Sequence, residues 1–260
     1  MKKLELLRYN ERGKKKLKEF KNQRRLELDK YRNLPSISKI QYKCYKKLIK
    51  ETVKKEMKVL EIGCGTGEFS WQAISSGAQV TLTDISNISL EAAKFRFKNK
   101  LNKIDYKLAD MEDLPFDEES FDVVLSSGSL SYGDHKIVRN EIYRVLKYDG
   151  YFICIDSLDH NLIYKLNRFI HFIKRERTWD TISRIPNLKL IKSYEKFGWC
   201  KHYYFGSFIW FVNIFKEILT EDKIIKLSLF LDKLFANHLT AFNFVMIAKK
   251  INLNNKFRNK

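Results

Sequence analysis

Between positions 57 and 156 of this 260-residue chain, short apolar runs recur at a regular spacing. They are MKVLEI (57–62), QVTLTD (79–84), IDYKLAD (104–110), FDVVLSS (121–127) and YFICID (151–156). Each has the length of a strand. FDVVL (121–125) is a continuous apolar run after its aspartate, as a strand buried on both faces should be. The stretches near 68–76, 87–100 and 135–147 carry helical spacing instead. Strand and helix alternating in this way predict an α/β fold, doubly wound about a parallel sheet.

The flanks read differently. Residues 1–33 form a helical arm, with Leu17, Phe20, Leu28 and Tyr31 at rough helical intervals. Residues 39–55 form an amphipathic helix with Ile40, Cys44 and Leu48 on one face. Beyond 157 the chain is aromatic and basic. Two more strands are expected near 188–197 and 241–248, with a helical segment around 208–236. Phe205, Phe208, Phe211, Val212 and Phe215, with Leu219, Ile225, Leu229 and Leu234, are dense enough to pack over the sheet as a cap. Three parts follow: a basic extension (1–56), a core (57–156) and a C-terminal part (157–260) that completes the sheet and caps the substrate.

Charge sharpens this division. Residues 1–58 hold 21 Lys and Arg against 7 Asp and Glu, residues 59–156 hold 10 against 16, and residues 157–260 hold 19 against 8. An acidic middle is flanked by two basic ends, which suit an anionic acceptor, an anionic membrane surface or nucleic acid. The four cysteines are scattered and form no CxxC pair, so no metal site or disulfide framework is expected. The N-terminus has no apolar core of a secretory signal. The most apolar window, Phe205 to Phe215, is shorter than the roughly 20 residues that cross a bilayer. A cytoplasmic protein is expected, with peripheral contact at the membrane face as a further option.

The first apolar run leads into Gly63, Gly65 and Gly67. Glycine at a strand end permits positive φ and close approach of a ligand. The free N–H groups of the next helix point to the same place. The third glycine comes one residue too early for the G-x-G-x-x-G dinucleotide fingerprint. Glu61 and Glu68 flank the loop, and two carboxylates suit a cationic ligand better than a pyrophosphate.

"VLEIGCGTG", with TLTD, LADMEDLPF, ESFDVVLSSGSLSY and EIYRVLKYDGYFICID after it, resembles the class I S-adenosylmethionine-dependent methyltransferases. The resemblance spans 57–156. It implies a Rossmann-like methyltransferase fold with a mostly parallel seven-stranded sheet, and S-adenosylmethionine as cofactor. By that resemblance Glu61, Gly63, Cys64, Gly65 and Gly67 form the cofactor loop. Asp84 takes the ribose hydroxyls with Ile85 beside it. Asp110 meets the adenine amino group and Met111 the ring, and Ser127 faces the transferred methyl. Where many members carry Pro-Gly-Gly, Tyr148-Asp149-Gly150 stands, and Asp149-Gly150 is expected to make the turn. Within the superfamily the pattern is similar to the small-molecule group related to quinone-biosynthesis methyltransferases. The tail more loosely resembles bacterial surface-glycan methyltransferases.

Methyl transfer to a hydroxyl wants a general base. His135, after "SLSYGD", and His160, after the fifth strand, are the candidates. Tyr132, Arg168 and His202 are candidates for contacting substrate. The leading expectation is O-methylation of a small molecule, sugar or glycan, anionic or lipid-linked. An RNA methyltransferase is the second class. "SSGSL" is not the Asn/Asp-Pro-Pro-Tyr/Phe run of base-amino methylating enzymes, and no RNA-binding module is evident. A non-catalytic cofactor-binding protein is the third. The sequence sets no oligomeric state.

Overall fold

The computed structural model describes residues 2–23, 26–34, 36–99, 103–174, 178–235 and 239–252. Helix α1 (Lys2–Asn22) and a 3-10 turn (Lys30–Asn33) form the arm, and α2 (Ser36–Thr52) leads into the sheet. The core follows as β1 (Lys58–Ile62), α3 (Trp71–Ile74), β2 (Gln79–Asp84), α4 (Asn87–Phe97), β3 (Ile104–Leu108), β4 (Phe121–Ser127), α5 (His135–Val145) and β5 (Leu146–Ser157). The C-terminal part holds α6 (Leu162–Ile173), α7 (Trp179–Ser183), α8 (Leu188–Ser193), β6 (Gly198–Phe205), α9 (Ile209–Val212), α10 (Glu221–Phe235) and β7 (Asn243–Lys250).

The strands lie in the order β3-β2-β1-β4-β5-β7-β6. β1 to β5 pair in parallel, and β7 runs antiparallel to both its neighbours. Successive side chains of a strand point to opposite faces, and here both faces are buried. Val59, Val123, Leu125 and Ile153 pack with Tyr45 and Ile49 of α2 and with Leu90 and Ala93 of α4. Leu60, Val124 and Phe152 pack on the other side with Val138 and Ile142 of α5. Fully burying each such side chain contributes about 1.5–3 kcal/mol. This is why the central runs read as apolar without alternation.

Three expectations need correction. Residues 188–197 are helical, not a strand. Asn187 caps α8 by accepting the Leu190 N–H at 3.0 Å. The buried residues Leu190, Ile191, Tyr194 and Phe197 repeat at helical intervals. The strand starts instead at Gly198, whose φ of 113° lets the chain turn out of the helix. Asp149-Gly150 makes no separate turn. β5 runs through it, with Asp149 at φ 62° and a register shift against β4 between Phe121 and Val123. The apolar cap is only partly packed. Val212 and Ile224 are buried with Ile40, but Phe211, Phe215, Leu229 and Leu234 are exposed. No helix among the described residues is long and apolar enough to cross a membrane.

Candidate active site

The carboxyl ends of β1, β2, β4 and β5 open into one cavity of ≈ 360 Å³, where a doubly wound sheet binds its ligands. The glycine loop forms one wall, and its three glycines do different things. All have positive φ, at 61°, 55° and 71°. A Cβ on Gly63 would lie 2.6 Å from Ser129 Cβ, and one on Gly67 2.6 Å from Phe97 Cε2. Those two are glycines because of their neighbours. A Cβ on Gly65 would meet nothing within 4 Å. Its bare backbone faces the cavity, where a ligand can approach closely. Gly128, at the end of β4, repeats this arrangement with φ 69° and open space.

Asp84 ties β2 to the loop. Its Oδ2 accepts the Gly65 N–H at 2.8 Å and its Oδ1 the Ser86 N–H at 2.9 Å. Burial pushes its pKa up while these bonds oppose the rise. Glu61 is buried in β1, and its Oε2 has no hydrogen-bond partner among the described residues. Burial raises its pKa to about 7, with the nearby Asp84 adding to the shift. Glu68 goes the other way. Burial pushes it up, but Lys30 (2.5 Å) and Arg12 (3.3 Å) outweigh burial and hold it below the usual carboxylate range.

Of the residues expected at the cofactor, Gly63, Cys64, Gly65, Asp84, Ile85, Met111 and Ser127 line the cavity. Glu61, Gly67 and Asp110 are not among the described lining residues. Asp110 sits in a turn bridged to Asp113, where its Oδ1 accepts the Glu112 N–H at 3.0 Å. Ala109 and Met111 present themselves to the cavity instead.

Tyr132 and Arg168 line the cavity, whereas His135, His160 and His202 are not among its described lining residues. His135 Nε2 lies 2.7 Å from the Arg184 carbonyl, and burial lowers its pKa. His160 Nε2 accepts the Leu188 N–H at 3.3 Å. Both rings brace the entry to the C-terminal part. His202 lies on β6, tilted against Tyr204.

Besides Glu5, Glu68 and Asp84, the cavity is lined by Asp156, near the end of β5. Its Oδ2 accepts the Leu130 N–H at 3.0 Å and its Oδ1 the Ser157 N–H at 2.7 Å. Burial pushes its pKa up to about 6 against those bonds. Ser131, Tyr132, Ser157 and Arg168 line the same cavity as Asp156. Its signal was present in the sequence, because it closes YFICID as Asp84 closes QVTLTD.

Nothing in the sequence pattern placed the arm here. Glu5, Tyr9 and Arg12 of α1 form part of the cavity wall. Side-chain bonds fasten α1 down. Thr181 Oγ1 donates to Glu5 Oε1 at 2.8 Å, Arg8 Nη2 to the Tyr132 hydroxyl at 3.1 Å, and Ser86 Oγ to Asn10 Oδ1 at 2.7 Å. Ser86 also caps α4. Arm, second strand and fourth-strand loop thus meet at one place.

These residues fit S-adenosylmethionine. Gly65 offers open backbone, Asp84 a carboxylate able to accept hydroxyl bonds, and Ile85, Ala109 and Met111 apolar surface for a base. Arg12 and Lys30 supply cations for a carboxylate. No group of three or more His, Cys, Asp or Glu that could hold a metal ion occurs among the described residues.

Residues 60–154 match the family model described as a methyltransferase domain. The uncharacterized methyltransferase YodH of Bacillus subtilis is 40% identical over 99 residues, covering 38% of this chain and 42% of that protein. A demethylmenaquinone methyltransferase of Oceanobacillus iheyensis is 29% identical over 181 residues, covering 65% of this chain and 72% of its own length. The chain therefore spans less than half the length of the first of these relatives. A Haemonchus contortus phosphoethanolamine N-methyltransferase, solved with S-adenosylhomocysteine, superposes with a TM-score of 0.57 at 20% identity, covering 81% of this chain and 53% of that one. At that identity the likeness concerns the fold.

Proposed function

We propose that this chain, a class I S-adenosylmethionine-dependent methyltransferase, methylates a small hydroxylated acceptor and that Asp156 takes the acceptor's proton. The observation that carries this reading is one cavity lined by both the Gly65–Asp84 cradle and the Asp156 carboxylate. The bound cofactor supplies a methyl group on a positively charged sulfur. The chain's own work is to hold that methyl in line with the acceptor atom and to exclude water. Asp84 and Gly65 hold one end of the cavity. Asp156, with a pKa raised to about 6, is ionised at neutral pH yet basic enough to draw a proton from a bound hydroxyl. The Leu130 and Ser157 N–H groups fix its carboxylate plane.

The finer reading is O-methylation of a sugar or glycan. Ser131, Ser157 and Arg168 give the Asp156 end polar partners for hydroxyls. A second reading, methylation at a ring carbon beside a hydroxyl, draws on the relatives named as demethylmenaquinone methyltransferases. The cavity's aromatic walls, Tyr9, Tyr42, Phe69 and Tyr132, also favour it. In both readings Asp156 first takes the hydroxyl proton; in the second, the ring carbon that accepts the methyl then loses its own hydrogen as a proton and the hydroxyl is re-formed. The wall formed by α1 favours a small acceptor over an RNA strand. The four cysteines are free thiols, which suits the cytoplasm.

The test begins with calorimetric titration of S-adenosylmethionine. Methyl-labelled cofactor is then incubated with a cell extract separated into glycans, small molecules, RNA and protein. A labelled methyl ether in glycan supports the first reading, and a labelled ring carbon the second. Label in RNA overturns both. Binding without label in any fraction supports a non-catalytic cofactor-binding role, and no binding sinks the assignment.

A further inference from the structure

Two helices of the C-terminal part are turned inside out relative to a surface helix, which normally hides its apolar stripe. No residue of α6 is buried. Leu162 (80% exposed), Ile163, Leu166, Phe169, Ile170 and Ile173 all face outward. Their positions i, i+1, i+4, i+7, i+8 and i+11 make one continuous stripe. The inward side is polar. The Tyr164 hydroxyl donates to Ser157 Oγ at 2.6 Å, and Arg168 reaches the cavity. In α10 the buried positions are Ile224, Ser228 and Asp232, while Leu227, Phe230 and Leu234 are exposed. Asp232 is held inward because it accepts the Gly206 and Phe208 N–H groups. The segment before α10 adds Phe211, Ile214, Phe215 and Ile218 (81% exposed).

Topology sends these elements off one edge of the sheet. β5 ends at Ser157 and β6 at Phe205, and both pair there with Asn243, the first residue of β7. α6 leaves from the end of β5, and the 206–242 segment bridges β6 to β7. This is the carboxyl edge of the parallel strands, where the cavity also lies.

We propose that α6 and the 211–235 segment form a docking surface for an anionic lipid bilayer. Exposed apolar stripes of this extent mark an interaction site. Charge selects the occupant. α6 contains no Asp or Glu, with exposed Lys165 on it and exposed Lys174 just after it. The 211–235 segment balances Lys216, Lys223, Lys226 and Lys233 against Glu217, Glu221, Asp222 and Asp232, so the excess positive charge lies with α6 and with the C-terminal part as a whole, where residues 157–260 carry 19 basic against 8 acidic residues. That pattern suits the interface of anionic lipid, where lysines meet headgroups and apolar side chains enter the acyl boundary. At 12 residues α6 is about 18 Å long, too short to span a bilayer and suited to lying in its plane.

The test is co-sedimentation with vesicles of phosphatidylcholine alone and of equal parts phosphatidylcholine and phosphatidylglycerol, using wild type and the double variant Leu166→Glu, Phe169→Glu. Wild type is expected to pellet with the anionic vesicles and to be released by high salt. The double variant should lose about tenfold or more in partitioning. Its melting temperature should change little and its S-adenosylmethionine affinity should be unchanged, because neither side chain lines the cavity, Leu166 is 61% exposed, and Phe169, 46% exposed, has its ring contact with Phe172 of the same helix. That titration keeps the docking surface separate from the transferase reading. Wild type remaining in the supernatant with both vesicle types would overturn the proposal, and so would a double variant that pellets like wild type. A wild-type dimer that the double variant dissolves, with neither protein pelleting, would assign the stripe to a second copy of the chain and also overturn it.

Discussion

Gly65→Ala should separate ligand binding from folding, and Gly67→Ala should do the reverse. Both residues sit at positive φ, 55° and 71°. Placing an alanine in that region costs about 1–2 kcal/mol in either case. The surroundings then divide them. At Gly67 the new methyl would lie 2.6 Å from the ring of Phe97, which is buried. Overpacking of that kind adds about 1–3 kcal/mol, for a total of about 2–5 kcal/mol. At Gly65 the methyl enters open space, so the fold loses only the backbone cost. That space is the cavity, and the methyl stands where the ligand should approach the backbone. Losing about 1.4–2.8 kcal/mol of contact there corresponds to about a 10- to 100-fold drop in S-adenosylmethionine affinity. Urea denaturation of the free proteins gives the first quantity and calorimetric titration the second. If Gly65→Ala bound the cofactor as wild type does, the ligand would not lie against this backbone and the glycine-loop argument would fail. Equal stability losses for the two variants would show that the space beside Gly65 is relaxed packing and not a site.

Asp156→Asn should lower turnover about 10²- to 10⁴-fold, the span of general-base catalysis, with cofactor affinity kept. Wild-type kcat/KM should rise with pH through about 6 and then level, and the variant should lose that limb; a wild-type rate in the variant refutes the assignment. His135→Ala and His160→Ala should keep kcat within about twofold of wild type, since neither ring is among the described residues lining the cavity, and steady-state kinetics checks this. Glu61 has a folded pKa raised to about 7 against about 4.3 unfolded. The folded state therefore binds this proton more tightly. Its stabilisation is fully present below about pH 4 and lost as pH rises through 7. Melting curves of the free protein should show Glu61→Gln gaining on wild type between pH 5 and pH 8, and parallel curves would count against the buried charge.

The strand ends were legible because both requirements on them are local. A central parallel strand needs apolar side chains where it is covered, and a polar residue at its carboxyl end stands where ligands bind. QVTLTD and YFICID both meet that description, and Asp84 and Asp156 both line the cavity. His135 and His160 are not among the described residues lining the cavity, and the proposed base is a carboxylate instead. A carboxylate that closes a buried strand is desolvated and rises toward neutrality, as Asp156 does, which lets it fill the role proposed for it without a histidine. The arm's role was illegible because it rests on contacts across the chain. Glu5 is held by Thr181, 176 residues away, and no spacing within 1–33 encodes that partner. Residues 188–197 misled because their apolar positions fit a short strand as readily as a helix, and the cap at Asn187 decides between them.

The C-terminal part adds a different lesson. Helical spacing in α6 shows that an apolar stripe exists, and the ordinary inference is that the stripe faces the core. Here the inward face is chosen by polar chemistry. Asn161 caps the helix at Tyr164 N and donates to the Thr240 carbonyl at 2.6 Å, which fixes where α6 begins. Tyr164 then bonds Ser157, next to Asp156, and stacks with Phe242. Arg168, one turn on, bonds Tyr164 and lines the cavity. Rotating the helix to hide Leu166 and Phe169 would break each of those bonds and remove Arg168 from the site. Fully burying two such side chains contributes about 3–6 kcal/mol at most, while breaking the half-buried Ser157–Tyr164–Arg168 network costs up to about 1–3 kcal/mol for each group. The two orientations are close in energy within the chain alone. The proposed bilayer contact would tip the balance, because outward-facing Leu166 and Phe169 could then be buried without breaking the network that holds Arg168 at the cavity.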